Sequence, residues 1–435
     1  MTRMTQTLLL TTLLFGAFAC GDSEPEQPAN NTSNTDGKGD WFGLGDDIQY
    51  ADLYNGTASV KLLPVRGRLV EEDPDDINDP DVTPFSQISQ DETKRAFITV
   101  TMLIDGQRET ITDLYTDNEG YFDTVVDISA LNLRPGRYTM EIWHDGDNTG
   151  SSHVILLDEA RTVPVVRSDV DLTYINTDFQ SATAMFNLML ESADEREALP
   201  GMPSVYAGVR GDDAIPVTFL SGSPKFFKRT LEQKMILDGL EQDGVVLKPF
   251  KDIVASNVRD LSLTQIVPEL KEQIGYKMTW LLKLRLQLPA STPEVLMGDD
   301  SEADFVVYNL YYRFLAGELT AGDLHDELVA LNVTSNWMTE IDTYAPLVEV
   351  TPEGVPLAIY INHTPVTSET YDVQDWIVPD VTRYHDGAWP LAKDLEEEGL
   401  IGAATVEEVR KDLVASGLTQ EVLDAQAAAS DFLQH

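Results

Sequence analysis

The run Val163-Pro164-Val165-Val166-Arg167-Ser168-Asp169-Val170-Asp171-Leu172-Thr173 joins an apolar, strand-like segment to two carboxylates spaced two residues apart. A strand that stops at Asp169 presents both from its carboxyl end. The chain can then turn through Asp171 and Thr173 into the crevice where open α/β sheets bind ligands. The pair reads as a phosphate-transfer site, in which one carboxylate attacks phosphorus and the second handles the proton of the leaving group. In a chain this rich in aspartate the same five residues also suit a strand-end turn, so the reading depends on what lies downstream.

Downstream, Ala214-Ile215-Pro216-Val217-Thr218-Phe219-Leu220 is a second apolar run and ends at Ser221-Gly222-Ser223-Pro224. Lys277 follows on a predicted helix, and residues 293–297 lead into Gly298-Asp299-Asp300-Ser301-Glu302-Ala303-Asp304. Each polar group falls just past a strand or on a helix, as one shared site at one sheet edge requires. Plainer readings stand beside these. Ser221 before Pro224 suits a helix cap. A lysine on an amphipathic helix is commonly solvated, and Lys283 competes with Lys277 for any role. Asp300 and Asp304 also suit a generally acidic surface.

In this order the motifs resemble those of the haloacid-dehalogenase superfamily of phosphatases, over residues 163–363. The closer resemblance is to one family within it, the phosphatidate phosphatases first associated with fungal actin patches. It is carried by Pro200-Gly201-Met202, Ser221-Gly222-Ser223-Pro224, Val246-Leu247-Lys248-Pro249-Phe250 and the Gly-Asp-x4-Asp signature from Gly298 to Asp304. The resemblance implies an α/β fold with a Rossmann-like parallel sheet of the haloacid-dehalogenase type. It implies phosphatase chemistry on a phosphate ester, with phosphatidate or a related lipid phosphate as the first substrate to consider. Carried over residue by residue, it makes Asp169 the nucleophile that forms an aspartyl-phosphate, and Asp171 the acid that then becomes the base. Ser221 and Lys277 become donors to the phosphoryl group, and Thr173, Gly222 and Ser223 become substrate-binding. The implied cofactor is Mg2+, held by Asp169, the backbone carbonyl of Asp171 and Asp299, with Asp304 orienting a metal-bound water.

Three positions depart from the family pattern. Leu172 stands where a third aspartate is usual, which removes a polar group behind the site but neither of the two carboxylates expected to be catalytic. Asp300 stands where a serine is usual, and Asn362 replaces an arginine common after the last core strand, residues 357–361. Loss of that arginine is expected to alter substrate binding.

Composition sets the outer bounds. A chain of 435 residues can hold two or three domains with full cores. Its 30 basic and 74 acidic residues give a net charge of −44, which excludes nucleic acid as an expected partner. The same charge opposes adsorption to anionic membranes unless a local basic patch, such as Lys225, Lys228 and Arg229, does the steering. Solubility in salt accounts for the acidity equally well.

Residues 1–20 resemble an export signal. Arg3 precedes an apolar stretch over residues 8–19, too short to span a bilayer, that ends at Ala17-Phe18-Ala19-Cys20. Small residues before the only cysteine resemble a bacterial lipoprotein signal. Cys20 would then be lipidated, and the protein exported and held at a membrane in the periplasm or on the cell surface. Ala17 sits where leucine is preferred, so ordinary signal cleavage is the alternative. A single cysteine allows no intrachain disulfide.

Residues 21–44 are polar, without hydrophobic period, and read as a disordered tether. Residues 45–160 alternate apolar and polar positions between turn signals, notably Asp105-Gly106 and Arg134-Pro135-Gly136, which predicts an antiparallel β-sandwich. The family's amino-terminal β domain is similar, through Thr116-Asp117-Asn118-Glu119-Gly120-Tyr121-Phe122. Two acidic loops, residues 73–81 and Asp145-Gly146-Asp147-Asn148, raise calcium binding against the alternative of solvated turns. The phosphatase domain is expected over residues 161–365. A helical carboxyl-terminal extension follows over residues 366–435, with core packing sufficient to explain its apolar faces. His363 and His385 read as structural, and no His and Cys spacing suggests zinc.

The functional expectation is a Mg2+-dependent phosphatase. One alternative keeps the chemistry on a soluble phosphomonoester or phosphoprotein. The other is a non-enzymatic surface binding protein on a decayed phosphatase scaffold.

Overall fold

A computed structural model describes residues 48–54, 56–72, 81, 83–87, 93–177, 187–211, 215–248, 272–301, 303–364 and 376–430. The signal-like segment with Cys20, the tether, residues 73–80 of the first acidic loop and Pro249-Phe250 lie outside the described residues.

The first eight strands are β1 (Ile48–Leu53), β2 (Gly56–Ser59), β3 (Leu62–Glu72), β4 (Phe97–Ile104), β5 (Gln107–Tyr115), β6 (Tyr121–Asp127), β7 (Gly136–His144) and β8 (Asp147–Leu157). They form a three-stranded sheet ordered β1-β3-β6 and a five-stranded sheet ordered β2-β8-β7-β4-β5. Alternation drives the pairing. Ile98, Val100 and Met102 of β4 face inward to meet Met140 and Ile142 of β7, and Leu63, Val65 and Leu69 of β3 close the core from the other sheet. Asp105 and Gly106 both take positive φ (51° and 78°), the two-residue turn whose twist matches a hairpin. Asp145 and Gly146 repeat that geometry (49° and 94°), so the second acidic loop is a hairpin turn. Its carboxylates join no metal-holding group among the described residues. One pairing departs from the antiparallel expectation: β2 runs parallel to β8, because the chain leaves β2 for the opposite sheet instead of turning back beside it.

The second half builds one parallel sheet of six strands, ordered β11-β10-β9-β12-β13-β14. They are β9 (Val165–Ser168), β10 (Val217–Pro224), β11 (Val245–Lys248), β12 (Glu294–Asp299), β13 (Ala358–Asn362) and β14 (Thr382–His385). Their near-continuous apolar runs reflect burial on both faces. Val166, Val217, Phe219, Val295, Met297 and Tyr360 pack into one cluster, while Leu220, Val246, Leu296, Ile359 and Ile361 pack into another on the opposite face. Helices α1 (Met202–Arg210) and α2 (Lys228–Leu237) cover the first face. Helices α3 (Gln273–Arg285), α4 (Asp304–Leu315), α5 (Ala321–Ala330) and α6 (Ser335–Tyr344) cover the second.

The segment expected as a helical extension is structurally part of this layer. It supplies the edge strand β14, and α7 (Ala388–Glu397), α8 (Ala403–Ala415) and α9 (Gln420–Ala429) bury Leu391, Leu395, Val409 and Leu423 against the sheet. Gly201 shows how tight that packing is. It caps α1 at φ 80°, and a Cβ there would press within 3.2 Å of Val409 Cγ1.

The two halves meet through buried charge. Lys228 Nζ donates to Asp52 Oδ1 (2.7 Å), Leu53 O (3.0 Å) and Glu232 Oε2 (2.8 Å). Asp123 accepts from Arg66 Nε and Lys283 Nζ, both at 2.7 Å. Burial would raise the Asp123 carboxyl, but Lys283 and Arg66 together hold it well below the usual carboxylate range. Lys225 lies 3.7 Å from the centre of the Tyr121 ring, and burial pulls its ammonium down to about 7. Of the three residues offered as a steering patch, Lys228 is buried and salt-bridged to Asp52, while Lys225 and Arg229 stay half-exposed and lie over tyrosine rings. A buried ammonium needs partners, and the β-sandwich supplies them to Lys228.

Candidate active site

Strand β9 ends at Ser168, and the Asp169 N–H still donates to Met297 O of β12 (2.8 Å), so the nucleophile candidate is held by the sheet itself. The loop then closes tightly. Tyr174 and Ile175 N–H both donate to Val170 O (2.8 and 2.9 Å), and Leu172 N–H donates to Ile175 O at 2.8 Å. This turn puts Leu172 at φ 53°, in the left-handed region. The missing aspartate therefore alters backbone energetics as well as polarity, because asparagine and aspartate tolerate that conformation better than leucine.

Strand β10 runs past the expected stop at Leu220 to Pro224, and its register with β11 shifts between Ser221 and Pro224. An irregularity of this kind re-aims side chains. Here Ser221 Oγ and Ser223 Oγ both donate to Asp171 Oδ2 (3.0 and 2.6 Å), while Thr177 Oγ1 donates to Asp171 Oδ1 (2.8 Å). Ser221 caps no helix: α2 begins at Lys228, and the turn before it has Pro224 at its start without a side-chain cap. Gly222 has a steric reason, since a Cβ would come within 2.7 Å of Gln273 Cδ. Thr173 Oγ1 is buried without a hydrogen-bond partner among the described residues.

Helix α3 is buried on almost every side, and Lys277 sits on it with no exposed surface. Its Nζ lies 3.0 Å from Asp169 Oδ2 and is also paired with Asp304 Oδ1. Lys283 points the other way, to Asp123. Asp299 closes β12 and accepts the Ser301 N–H at 2.7 Å. Asp304 opens α4, and Gly298 makes room for it, because a Cβ at that position would collide with the Asp304 side chain. The Gly-Asp-x4-Asp spacing is thus a packing requirement: strand end, turn, helix start, with glycine letting the helix carboxylate reach the strand.

Asp169, Asp299 and Asp304 offer oxygens within 4.8 Å of one another, all buried. The side chain of Asp171 lies outside that group. Burial raises the Asp169 carboxyl, opposed by Lys277 and reinforced by Asp171. Burial also raises Asp304 well above the carboxylate range, with Lys277 opposing and Asp169 and Asp299 adding to the rise. Three buried carboxyl groups gather around one ammonium, and Asp304 Oδ2 is buried without a hydrogen-bond partner among the described residues. This all-oxygen set fits a hard divalent cation.

Asn362 Nδ2 donates to Leu172 O (2.8 Å), and its Oδ1 accepts from Gly387 N–H (3.1 Å), so it ties the loop after Asp169 to the start of α7. Asp300 accepts from Thr364 N–H and Oγ1 (2.8 and 2.7 Å) and faces away from the carboxylate cluster. His385 is buried against Tyr360, and burial pulls it down to about 4. Two residues absent from the sequence reading enter here: Thr177, on Asp171, and Arg196, which is buried 5.1 Å from the centre of the Phe227 ring. Arg196 stands in Asp194-Glu195-Arg196-Glu197, a run that looks like any solvated charged face, so no local signal marked it.

Residues 164–321 match the family model described as phosphatidate phosphatase APP1, catalytic domain. The segment from β9 to the start of α5 therefore matches the family that the motifs resemble. The match holds Asp169, Asp171, Ser221, Lys277, Asp299 and Asp304, and leaves the β-sandwich outside. No curated protein matches the chain. Among solved structures, a glycosyl hydrolase family 2 member from Bacteroides cellulosilyticus overlaps 80% of this chain and 39% of its own, at 8% identity and a TM-score of 0.23. A second member, from Bacteroides cellulosilyticus DSM 14838, overlaps 84% and 43% at 8% identity and a TM-score of 0.21. The chain spans about two fifths of the length of these proteins, and likeness at this level carries nothing about fold or function.

Proposed function

We propose that the protein is a Mg2+-dependent phosphatase working through an aspartyl-phosphate on Asp169, on a sheet of the haloacid-dehalogenase type, with phosphatidate or a related lipid phosphate as first substrate. One observation carries this reading: Lys277, Asp169, Asp299 and Asp304 converge, fully buried, at the carboxyl ends of neighbouring parallel strands, with Asp171 and Ser221 beside them. In the first step an Asp169 oxygen forms a bond to phosphorus, the bond to the leaving oxygen breaks, and Asp171 gives that oxygen a proton. In the second, Asp171 takes a proton from water, the water oxygen attacks phosphorus, and the bond to Asp169 breaks. Lys277 holds Asp169 in place and offsets charge on the phosphoryl oxygens, and the Ser221 hydroxyl can turn from Asp171 to a phosphoryl oxygen. Mg2+ held by Asp169, Asp299 and the Asp171 carbonyl, with Asp304 behind it, would offset repulsion between the carboxylates and a phosphate dianion. Thr173, Gly222 and Ser223 are proposed to bind the phosphate. We also propose export and lipid anchoring at Cys20, and a boundary near residue 160 between the β-sandwich and the phosphatase domain.

The net charge of −44 and the burial of Lys228 favour a second reading, the same chemistry on a soluble phosphomonoester. Phosphate release from an aryl phosphate and from phosphatidate vesicles, in Mg2+ and in chelator, tests both. Wild-type release that needs Mg2+ and nearly vanishes in Asp169→Asn is expected, and the ratio between substrates separates lipid from soluble. Activity undiminished in Asp169→Asn would remove the mechanism.

A further inference from the structure

After Thr173 the chain returns along the nucleophile loop. Ile175 bridges Ala198 in antiparallel sense, and Asn176 N–H donates to Glu197 O at 2.9 Å. The same register sets Thr177 opposite Arg196, and residues directly opposite share a face. Thr177 is the residue whose hydroxyl donates to Asp171 Oδ1 (2.8 Å). On its other side Arg196 lies over Phe227, in the turn that follows Ser221-Gly222-Ser223-Pro224. Arg196 is thus wedged between the two segments that hold the acid–base candidate. It is 3% exposed, and its NH2 donates to Leu188 O at 2.7 Å. Its Nε–H is buried with no hydrogen-bond partner among the described residues. Burial lowers this guanidinium from its ordinary value, and the charges opposing that drop are Asp171 first, then Glu191.

An unspent donor on a buried cation costs stability and calls for an explanation. The arginine expected after the last core strand is absent, and Asn362 in its place spends both ends of its amide on backbone. The donor that remains belongs to Arg196, opposite the threonine that holds Asp171, the residue proposed to protonate the leaving group.

We propose that Arg196 is a further catalytic residue on the leaving-group side, where its guanidinium takes the negative charge that develops on the departing oxygen. The inference rests on the phosphatase reading above. As Asp169 forms its bond to phosphorus, the electron pair of the breaking bond stays on the leaving oxygen until Asp171 delivers the proton. Arg196 stabilises that charge in the interval. Its contribution therefore grows with the basicity of the leaving group: small for a phenol that departs readily as its anion, large for an alcohol.

The test compares wild type, Arg196→Gln and Arg196→Lys, in the full chain with Mg2+, on p-nitrophenyl phosphate and on glycerol phosphate. Arg196→Gln should lose kcat/KM about 10-fold or more on the alkyl ester beyond its loss on the aryl ester. Arg196→Lys should restore much of the difference. Partial unfolding lowers both rates alike and cancels in their ratio. An unchanged ratio alongside Asp169-dependent activity would overturn the role of Arg196 alone. A wild type that releases phosphate from neither ester, nor from phosphatidate vesicles, would overturn the phosphatase reading, and this inference with it.

Discussion

At φ 53° Leu172 holds a conformation that costs an ordinary side chain about 1–2 kcal/mol and costs asparagine less. Leu172→Asn should raise stability by about 1 kcal/mol with activity kept, read as a higher denaturant midpoint at constant slope. Leu172→Asp should gain less, since it adds a charge beside Asp169 and Asp171. A drop in midpoint for Leu172→Asn would mean that the packing of the leucine outweighs its backbone strain. His385 gives a pH signature. Its folded value, about 4, lies below the usual 6.5, so between those values the unfolded chain binds the extra proton. Stability is then full above pH 6.5 and falls as pH drops toward 4, by roughly 3 kcal/mol for this residue. Unfolding of wild type and His385→Gln across pH 4 to 7 should show a shallower slope in the variant. Residues with a strand or a spacing behind them, such as Asp169, Asp299 and Asp304, were legible in the sequence. Arg196 and Thr177 were not, because only the antiparallel return of the chain after Thr173 sets them beside Asp171.

Helix α3 serves two ends at once. Its inner face carries Lys277 to Asp169 and its outer edge carries Lys283 to Asp123 in the β-sandwich. Lys277→Met should lower kcat/KM by about 100-fold or more. Lys283→Met should leave activity unchanged while costing about 2 kcal/mol in denaturant unfolding, as expected for a lost charge-assisted hydrogen bond. Reversed outcomes would mean that the two lysines had been assigned to the wrong tasks. Element by element, legibility followed period and length. The hairpin of β4 and β5 and the core strands β9, β12 and β13 announce themselves by alternation or by apolar runs closed with turn residues. Strand β14, Thr382-Arg383-Tyr384-His385, has neither, since a short edge strand with one neighbour has no apolar run to show. The continuation of β10 through Ser221-Gly222-Ser223 was hidden for a related reason: those residues look like a turn, and only pairing with β11 keeps them extended.

Across the whole molecule, the excess of 74 acidic over 30 basic residues is carried by the surface. Buried cations such as Arg167, Lys228, Lys277 and Arg285 are matched by buried carboxylates such as Asp169, Asp243, Glu294 and Asp304, so the interior takes up little of the net charge. Hydrolysis of phosphatidate in anionic vesicles should therefore speed up as ionic strength rises from about 10 to 150 mM, because salt screens repulsion beyond roughly 8 Å. Hydrolysis of a small soluble ester should respond far less. A vesicle rate that falls with salt would point to a cationic docking face instead.

The seam between the halves also fixes how the protein can be dissected. Leu157 closes the last sandwich strand and Val165 opens the first strand of the parallel sheet, and both pack with Ile155 and Leu288 in one apolar cluster. Ser59 N–H reaches across to Gln287 O at 2.7 Å, and Lys228 takes its partners from Asp52 and Leu53. Cutting the chain at the turn between them would bare that cluster and strand a buried ammonium, so the family-matched half prepared by itself should be poorly soluble. The smallest workable recombinant form should begin before Ile48, well upstream of the matched segment.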